Sequence, residues 1–366
     1  MSNILVTGGA GFIGANFVRY WNARHPADTI VVLDALTYAG NVQSIAGLAG
    51  MSFIHGDIKD TNLVDQLLAD YEIDTIVHFA AESHVDRSIN GPDAFIETNI
   101  IGTHSLLKAA KKAWLDRGIG KPHRFHHIST DEVFGSLGPN DAAFSESTAY
   151  APNSPYSASK AASDHLVRAY HHTFGLETTT TNCSNNYGPF QFPEKLIPLF
   201  MINCLTGKKL PIYGDGMNVR DWLYVDDHCR GIELVLQDGR VGETYNVGGG
   251  AELPNILVID TICAAVDAAF EANPDLARRF PNAPAARGIP SVSLKTYVAD
   301  RPGHDRRYAI DEEKIRSELG YSPAYSFERG FATTLQWYLN NEPWWQAILD
   351  GSYNGSSKID AKQIQA

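Results

Sequence analysis

The sequence predicts an α/β fold, with a doubly wound parallel sheet and a smaller, mostly C-terminal substrate-binding lobe. Three observations support this prediction. Short apolar strands alternate with amphipathic helices through the first half of the chain, a glycine-rich turn joins the first strand to the first helix, and after residue 183 the segments become rich in proline, glycine and aromatic residues. Alternating strands and helices are typical of parallel sheets covered on both faces, and the later loops are suited to binding a substrate.

The chain begins with a strand, a tight turn and a helix. Apolar residues 3–6 run into the sequence TGGAGFIG at 7–14, and an amphipathic helix follows to about Arg24. Glycines at this spacing permit a tight turn, the close approach of a pyrophosphate and the packing of the helix on the strand, while the helix N-terminus faces the phosphates. The glycines that we expect to serve this purpose are Gly8, Gly11 and Gly14.

A second strand, 29–33, ends at Asp34, which stands 20 residues after Gly14. A carboxylate at this point can accept hydrogen bonds from both ribose hydroxyls of an adenosine. It would repel the extra 2′-phosphate of NADP, and no arginine adjoins Asp34 to receive that phosphate. The sequence therefore predicts NAD as the cofactor rather than NADP.

The alternation of strands and helices continues along the chain. Further strands are predicted at 52–55, 75–79, 124–129 and 178–183, and further helices at 61–70, 93–114 and 156–174. We expect residues 1–183 to form an NAD-binding domain, to which later segments such as 221–250 return. Residues 184–350 are expected to form mainly the second lobe, and 351–366 a polar tail.

Two pairs of side chains indicate the chemistry. Tyr156 and Lys160 are four residues apart on a predicted helix, so the ammonium group can lie beside the phenol oxygen and favour its deprotonated form, which can take a hydroxyl proton. Asp131 and Glu132 follow the strand 124–129, at the edge where open parallel sheets bind their ligands. The two pairs together predict oxidation and elimination in one pocket.

The composition limits the classes of function. The chain has 366 residues, 44% of them hydrophobic, and a formal net charge of −12, so we expect no nucleic acid partner. No apolar stretch approaches the roughly 20 residues that span a bilayer, and the chain begins directly with a strand, so we expect a cytoplasmic protein without a membrane partner. Neither the four widely spaced cysteines nor the adjacent His126 and His127, which a strand directs to opposite faces, predict a metal site.

Several long motifs stand in an order that is specific to one family. They are TGGAGFIG at 7–14, AAESHVDRSI at 80–89, STDEVFG at 129–135, YSASK at 156–160, NCSNNYGPFQFPEKLIPL at 182–199, YGDGMNVRDWLYVDDH at 213–228 and DRPGHDRRYAID at 300–311. Over nearly its whole length the chain resembles the extended short-chain dehydrogenase/reductase family and, within it, the 4,6-dehydratases of nucleotide sugars. The resemblance implies a Rossmann-type sheet.

The resemblance also implies a reaction. A tightly held NAD would oxidise carbon 4 of the glucose unit of dTDP-glucose, water would leave across carbons 5 and 6, and the hydride would return to carbon 6. Tyr156 would be the base at the carbon 4 hydroxyl, Lys160 would tune it and contact the nicotinamide ribose, and Thr130 would help to hold that hydroxyl. Glu132 would take the carbon 5 proton, and Asp131 would protonate the departing hydroxyl. Because a ketone at carbon 4 acidifies the neighbouring proton, oxidation must precede elimination.

Contacts to cofactor and substrate are implied in the same way. The expected NAD-binding residues are Gly8, Gly11, Phe12, Ile13, Gly14, Asp34, Asp57, Ile58, Phe79, Ala80, Ala81, Ser83, Thr98, Tyr156, Lys160 and Asn186. The expected substrate-binding residues are Ser83, Asn185, Lys195, Leu196, Pro211, Tyr213, Arg220, Asn255, Asp300, Arg301 and His304. Lys195, Arg220 and Arg301 are candidate cations for an anionic nucleotide.

The family further implies a homodimer, in which the helices that begin at Asp93 and Tyr156 pair with their copies. The apolar residues expected on the paired faces are Ile100, Leu107, Leu166 and Val167. Two departures from the family pattern stand out. Phe134 replaces a tyrosine of many members, which we expect the pocket to tolerate, and the segment 271–294 is longer than is typical and is expected to affect a lid over the nucleotide.

Three alternatives stay open on the sequence. Another nucleotide sugar could be the substrate, because the lobe that binds the base is the part least accessible to sequence reasoning. A sugar-nucleotide 4-epimerase would share the fold, NAD, Tyr156 and Lys160, but it needs no acid/base pair for elimination. A non-catalytic NAD-sensing protein would have no reason to retain these two residues together with Asp131 and Glu132.

Overall fold

A seven-stranded parallel sheet forms the centre of the structure, a computed structural model that describes residues 2–118, 122–300 and 303–353. The strands of these residues are β1 (Asn3–Thr7), β2 (Thr29–Asp34), β3 (Met51–His55), β4 (Thr75–His78), β5 (Arg124–Thr130), β6 (Thr178–Cys183), β7 (Asn185–Tyr187), β8 (Leu210–Tyr213), β9 (Val219–Tyr224), β10 (Thr244–Val247), β11 (Glu252–Pro254) and β12 (Lys295–Val298). The central sheet has the order β10-β6-β5-β4-β1-β2-β3.

Helices cover both faces of this sheet. The helices of the described residues are α1 (Phe12–Arg24), α2 (Thr61–Asp70), α3 (Val85–Asn90), α4 (Asp93–Phe95), α5 (Thr103–Lys111), α6 (Pro155–Phe174), α7 (Leu196–Thr206), α8 (Val225–Asp238), α9 (Asn255–Ala272), α10 (Asp275–Arg279), α11 (Glu313–Leu319), α12 (Phe327–Asn340) and α13 (Glu342–Leu349). Leu5 and Val31 pack against α2, α5 and α6, whereas the neighbouring Ile4 and Val32 pack against α1 and α8. Alternate residues of each strand thus serve opposite faces, and the predicted doubly wound fold is confirmed.

The strand order reverses beside β1, which lies between β2 and β4. Ligands of open parallel sheets bind outside the carboxyl ends of the strands at such a point. The segments that leave β1, β4, β5 and β6 at this edge carry the motifs on which the predicted chemistry depends. The fold therefore places the glycine turn, the acidic pair and the segment from 183 to 186 around a common cleft.

The second lobe has its own hydrophobic core. Helices α7, α9, α12 and α13 pack around a three-stranded sheet of order β11-β9-β7, and β8 pairs in parallel with β12. The core includes large buried side chains such as Tyr187, Tyr338 and Trp345. The long segment 271–294 contributes Phe280 and Leu294 to the same core, so part of its length serves to pack the lobe.

The predicted helix 93–114 is interrupted. Helix α4 passes through a π-helical turn, Ile96–Gly102, into α5, and a second π-helical turn follows α5. The carbonyl oxygen of Asn99 accepts hydrogen bonds from Thr103 Oγ1, at 2.6 Å, and from Ser163 Oγ of α6, at 2.7 Å. These hydroxyls take the place of a regular helical N–H donor, which gives a physical reason for the wider turn.

Part of the predicted dimer face is wrong. Leu107 and Val167 are 0% and 1% exposed and belong to the core between the sheet and its helices, so they cannot meet a second subunit. The periodicity predicts that they lie on an apolar helix face, but this face covers the sheet and not a second subunit. On the same segments Ile96 and Ile101 are 44% and 46% exposed. Together with Phe174 of α6, which is 45% exposed, these two side chains are large apolar groups that the described parts of these segments expose.

No helix within the described ranges is long and apolar enough to cross a bilayer. The four cysteines, Cys183, Cys204, Cys229 and Cys263, are buried as free thiols.

Candidate active site

Glycine shapes the turn that follows β1. Gly8 has a φ of +70°, and a Cβ there would lie 2.6 Å from the backbone nitrogen of Ala80. A Cβ on Gly14 would lie 2.3 Å from the carbonyl oxygen of Gly8, so α1 packs directly on the turn. Gly11 is the N-cap of α1, and a Cβ on Gly11 would lie 3.3 Å from the carbonyl oxygen of Gly8. The turn leaves the N-terminus of α1 open to the cleft, which fits the pyrophosphate of NAD.

Asp34 at the end of β2 holds two loops in place. Its Oδ2 accepts a hydrogen bond from the Ala10 N–H at 2.9 Å, and its Oδ1 accepts one from the Leu36 N–H at 2.8 Å. Burial raises the pKa of this carboxyl, and the two N–H donors oppose the rise. Asp34 lines the cleft beside the glycine turn, where a ribose could reach its remaining lone pairs.

A cleft of about 310 Å³ runs along the carboxyl edge of the sheet. All sixteen residues that the sequence predicts as NAD-binding line it. All five predicted catalytic residues line it, two of them already in that set and the others being Thr130, Asp131 and Glu132. Of the predicted substrate-binding residues, Ser83, which is also in that set, Asn185 and Lys195 line it. Lys195 Nζ donates to the carbonyl oxygen of Ser83 at 3.0 Å, so the second lobe contacts the rim of the cofactor cleft.

The two acids lie in different surroundings, although they are adjacent in the sequence. They begin a 3₁₀ turn, Asp131–Phe134, that follows β5 and is capped by Thr130. Asp131 is 2% exposed, and its Oδ2 has no hydrogen-bond partner within the described ranges. Burial raises the pKa of Asp131 well above its usual value, and the charges of Glu132 and Asp221 raise it further. Glu132 is more exposed. Asp131 is therefore suited to donate a proton and Glu132 to accept one.

Tyr156 lies near the N-terminus of α6 and is 9% exposed. Burial raises the pKa of its phenol well above the usual value; the charge of Glu132 adds to this, and a hydrogen bond with Thr130 opposes it. The sequence predicted that Lys160 would lie beside the phenol oxygen. Lys160 Nζ donates to the carbonyl oxygen of Ile128 at 2.8 Å and lies 3.4 Å from His127 Nε2. A buried ammonium needs a hydrogen-bond acceptor, and the Ile128 carbonyl on β5 supplies one.

Most predicted substrate contacts lie outside the lining of this cleft. Arg220 donates to the carbonyl oxygen of Asp305 at 2.9 Å and stacks on Tyr308, with its Cζ 4.2 Å from the ring centroid. The Asn255 N–H donates to the carbonyl oxygen of Asn218, whose side-chain amide also reaches Asp305. Arg220 and Asn255 are therefore neighbours in the second lobe.

Other predicted substrate contacts gather around β8. Asp300 and His304 are paired at 2.6 Å, and the His304 ring packs edge-on against Tyr213 with centroids 6.2 Å apart. Pro211 lies on the same strand, and Leu196 begins α7 next to Lys195. Arg301 lies outside the described residues. The predicted substrate contacts outside the cleft thus lie in the second lobe, around Arg220 and around β8.

Sequence reasoning missed several residues of the cleft. Tyr38, Glu82, Gln191, Phe192 and Glu194 line it. Glu82 lies in the motif 80–89 and the last three lie in the motif 182–199, so those motifs were a signal that could have identified them. Phe134 packs in a small aromatic cluster, 5.1 Å from Phe144 and 5.2 Å from Tyr150 between ring centroids. Behind the cleft, His127 and Asp164 contact each other at 3.1 Å. The spacing of Asp164, four residues after Lys160, is a signal that could have identified it.

These features define a class of protein. It is an α/β enzyme that binds a dinucleotide at a glycine turn and places a tyrosine–lysine pair and an acid/base pair in one cleft. The family model described as GDP-mannose 4,6 dehydratase matches residues 5–334. A dTDP-glucose 4,6-dehydratase of Xanthomonas campestris pv. campestris (strain B100) is 56% identical over 358 residues, which cover 96% of this chain and 97% of that protein.

Solved structures agree with this match. The crystal structure of dTDP-glucose 4,6-dehydratase from Streptomyces venezuelae with NAD and TYD bound is 48% identical, with a TM-score of 0.83 over 94% of this chain and 99% of that chain. UDP-glucose 4-epimerase from Thermotoga maritima is 25% identical, with a TM-score of 0.79 over 93% of this chain and 99% of that chain. The chain belongs to the dTDP-glucose 4,6-dehydratase family of extended short-chain dehydrogenases/reductases, as the motifs predicted.

Proposed function

We propose that this protein converts dTDP-glucose to dTDP-4-keto-6-deoxyglucose, with NAD as a cofactor that each turnover regenerates. The observation that carries the proposal is the buried acid Asp131 beside the more exposed Glu132, in the same cleft as Tyr156 and Lys160. A 4-epimerase needs the tyrosine and the lysine but no acid/base pair for elimination, and an NAD-sensing protein needs neither pair. The names of the similar proteins support the nucleotide sugar.

Oxidation at carbon 4 comes first. NAD, when bound, accepts the hydride from carbon 4 and later supplies it to carbon 6. Tyr156 takes the proton of the carbon 4 hydroxyl, and Thr130, whose side chain lowers the pKa of the phenol, helps to hold that hydroxyl. Because burial and Glu132 raise the pKa of Tyr156, its phenolate form requires positive charge nearby, and Lys160 supplies part of it.

Elimination follows, since the ketone acidifies the proton on carbon 5. Glu132 removes this proton, and Asp131 gives its proton to the carbon 6 hydroxyl, which leaves as water. Glu132 then returns the proton to carbon 5 while carbon 6 receives the hydride. Burial raises the pKa of Asp131 and so favours the protonated form that this step requires. The closed hydride cycle consumes no external oxidant.

The substrate extends from this centre into the second lobe. Lys195, at the rim, and Arg220, in the lobe, are the cations that we assign to the diphosphate. We also infer a homodimer, for which the exposed Ile96 and Ile101 offer an apolar contact, and a location in the cytoplasm, with which four free thiols agree. The assignments of individual residues in this site are part of the proposal.

A panel of nucleotide-glucose compounds tests the function. Purified protein is incubated with the dTDP-, UDP-, GDP- and CDP-linked sugars, and each mixture is analysed by mass spectrometry for the loss of one water. We expect conversion of the dTDP compound at the highest rate. A carbon 4 epimer without loss of water would establish the epimerase instead, and a higher rate with another nucleotide would replace the substrate while keeping the reaction.

A further inference from the structure

Helix α6 carries a third buried ionisable group beside the tyrosine and the lysine. Tyr156, Lys160 and Asp164 follow each other at four-residue intervals, so they lie on one face of the helix. They are 9%, 4% and 6% exposed. A carboxylate buried one turn beyond a buried lysine is costly unless it is paired and hydrogen-bonded. The reaction described above gives Asp164 no role.

Hydrogen-bond donors converge on the Asp164 carboxylate. Ser129 Oγ donates to its Oδ2 at 2.8 Å, and the hydroxyl of Tyr150 donates to the same oxygen at 2.9 Å. His127 Nε2 lies 3.1 Å from Oδ1. Nδ1 of His127 has no hydrogen-bond partner within the described part of the chain, so we assign the ring proton to Nε2, from which it is donated to Asp164. Three donors stabilise the ionised carboxylate.

His127 stands between this carboxylate and the ammonium of Lys160, since its Nε2 is also 3.4 Å from Nζ. Burial lowers the pKa of Lys160, and the charge of Asp164 opposes this. Burial likewise raises the pKa of Asp164 to about 6, and Lys160 opposes that. Each group therefore supports the charged form of the other across a neutral imidazole.

The other titratable groups around the ammonium belong to neighbouring strands. Burial raises the pKa of Cys183 on β6, which keeps the thiol neutral, and lowers the pKa values of His127 on β5 and His78 on β4. The His78 ring lies 5.3 Å from that of His127. Tyr156, on α6 itself, is a further titratable group near the ammonium. Of these groups, Asp164 is the one that carries a negative charge at neutral pH.

We propose that Asp164 is a positioning residue of the active site: across His127, its carboxylate keeps the Lys160 ammonium charged and in place behind Tyr156. This inference rests on the proposed function, which defines the task of Lys160. Without the carboxylate, the lysine would lose its proton at a lower pH. Tyr156 would then lose the positive charge that favours its phenolate form, and oxidation at carbon 4 would fail above that pH.

The Asp164→Asn variant tests the inference, because it keeps the shape of the side chain and removes its charge. The Nζ signal of Lys160 is followed by NMR in the protein as purified, with labelled lysine, and Lys160→Arg assigns the signal. Its titration midpoint should fall by about one pH unit or more relative to the parent protein. Tyr150→Phe, which removes a donor and keeps the carboxylate, should move the midpoint much less.

A second measurement follows the chemistry. In protein that also carries Glu132→Gln, the rate at which dTDP-glucose reduces the bound cofactor is measured against pH. The alkaline limb of this profile should move down with the lysine midpoint. Asp267→Asn is the matched control, because Asp267 also accepts from a serine hydroxyl, Ser291 Oγ at 2.5 Å, but lies in the second lobe. It should leave both midpoints at the parental values.

Two results would overturn the inference. One is a parental lysine midpoint in Asp164→Asn, and the other is a loss of rate that is equal at every pH, which a merely structural role would give. Should Asp164→Asn fail to fold, Asp164→Ser also removes the charge and must show the same downward shift. If the parent protein forms no reduced cofactor with dTDP-glucose, the proposed function fails, while the lysine titration still decides the role of Asp164.

Discussion

The hydroxyl of Thr130 donates to Asp131 Oδ1 at 3.3 Å. The hydroxyl oxygen of Thr130 also accepts a hydrogen bond from the backbone N–H of Glu132, at 3.3 Å. One side chain thus fixes the turn that directs two adjacent acids into different surroundings. Burial raises the pKa of Asp131 and favours its protonated form, and the proposed function assigns the role of base to the more exposed Glu132.

Glu132→Gln should separate oxidation from elimination. The variant keeps Tyr156 and Lys160, so dTDP-glucose should still reduce the bound cofactor and a 4-keto sugar should accumulate. Formation of the 6-deoxy product should fall by a factor on the order of 10²–10⁴, as is typical for a lost general base. Stopped-flow absorbance and mass spectrometry measure the two signals, and Tyr156→Phe should give neither. Turnover of Glu132→Gln at the parental rate would mean that another residue is the carbon 5 base.

Asp131→Asn should stabilise the fold at neutral pH while it abolishes most of the dehydration. Burial raises the folded-state pKa of Asp131, whereas the unfolded carboxyl titrates near 4. The stability that this group contributes is therefore present below about pH 4 and is lost as the pH rises through the folded-state pKa. Calorimetry should show the variant melting a few degrees above the parent at pH 8, with the difference shrinking towards pH 4. A difference that does not depend on pH would show that Asp131 is ionised in the folded protein.

The purified protein should carry NAD. Cofactor released by heat is identified by mass spectrometry, and NAD rather than NADP should predominate. Asp34→Ala should weaken NAD binding on the order of 10–100-fold, since a hydrogen bond to a charged group contributes about 1.5–3 kcal/mol. Asp28→Ala is a control at the far end of α1, where Asp28 accepts from Trp21 Nε1 at 3.1 Å, and NAD affinity should survive there. Recovery of mainly NADP would refute the assignment.

Gly8→Ala should destabilise the protein far more than Gly47→Ala, although both glycines have a positive φ. Gly8 and Gly47 have φ values of +70° and +77°, but a Cβ on Gly8 would meet the backbone of Ala80 at 2.6 Å, whereas none of the described atoms lies within 4 Å of one on Gly47. Gly47→Ala should therefore cost only the roughly 1–2 kcal/mol of a left-handed alanine. Denaturant titration of both variants, with NAD retention as a second readout, measures the difference. Equal losses would mean that the turn can move away from β4.

Ile101→Asp should weaken the proposed dimer. A charge placed on an apolar contact must be desolvated when the subunits associate. Sedimentation over a range of concentrations should show more monomer in this variant than in the parent. Val292→Asp is the matched control, because Val292 is 44% exposed on the second lobe, and it should sediment like the parent. A parent that is monomeric at every concentration would remove the dimer from the proposal.

Much of the fold could be predicted from local patterns. The strand 178–183 and the helix 61–70 have the predicted bounds, and the others differ by a residue or two. The helix 93–114 is the exception, because its π-helical turn depends on Ser163, a residue 64 positions from Asn99. Such a long-range hydrogen bond leaves no trace in the periodicity of a single segment.

The same distinction applies to the site, where features set by one continuous motif could be predicted and features set by distant residues could not. Its glycine turn and acidic pair lie within continuous motifs, so their presence in one cleft could be predicted. The position of the Lys160 ammonium could not, because it depends on the carbonyl of Ile128 and the ring of His127, which come from a different strand. Leu107 shows a related limit: an apolar helix face is equally consistent with a subunit interface and with the sheet beneath it.

The central sheet is completed late in the chain. Its edge strand β10 ends at Val247. Helix α8 covers the face formed by β1 and β2, but it begins only at Val225, after the polypeptide has entered the second lobe. A ribosome that has released residues 1–183 has therefore produced a sheet with one edge unpaired and one face partly bare, the condition in which growing chains aggregate. Protection of the nascent chain is needed until about residue 250. For the same reason, no single crossover point would allow the cofactor half to be exchanged intact with that of a relative.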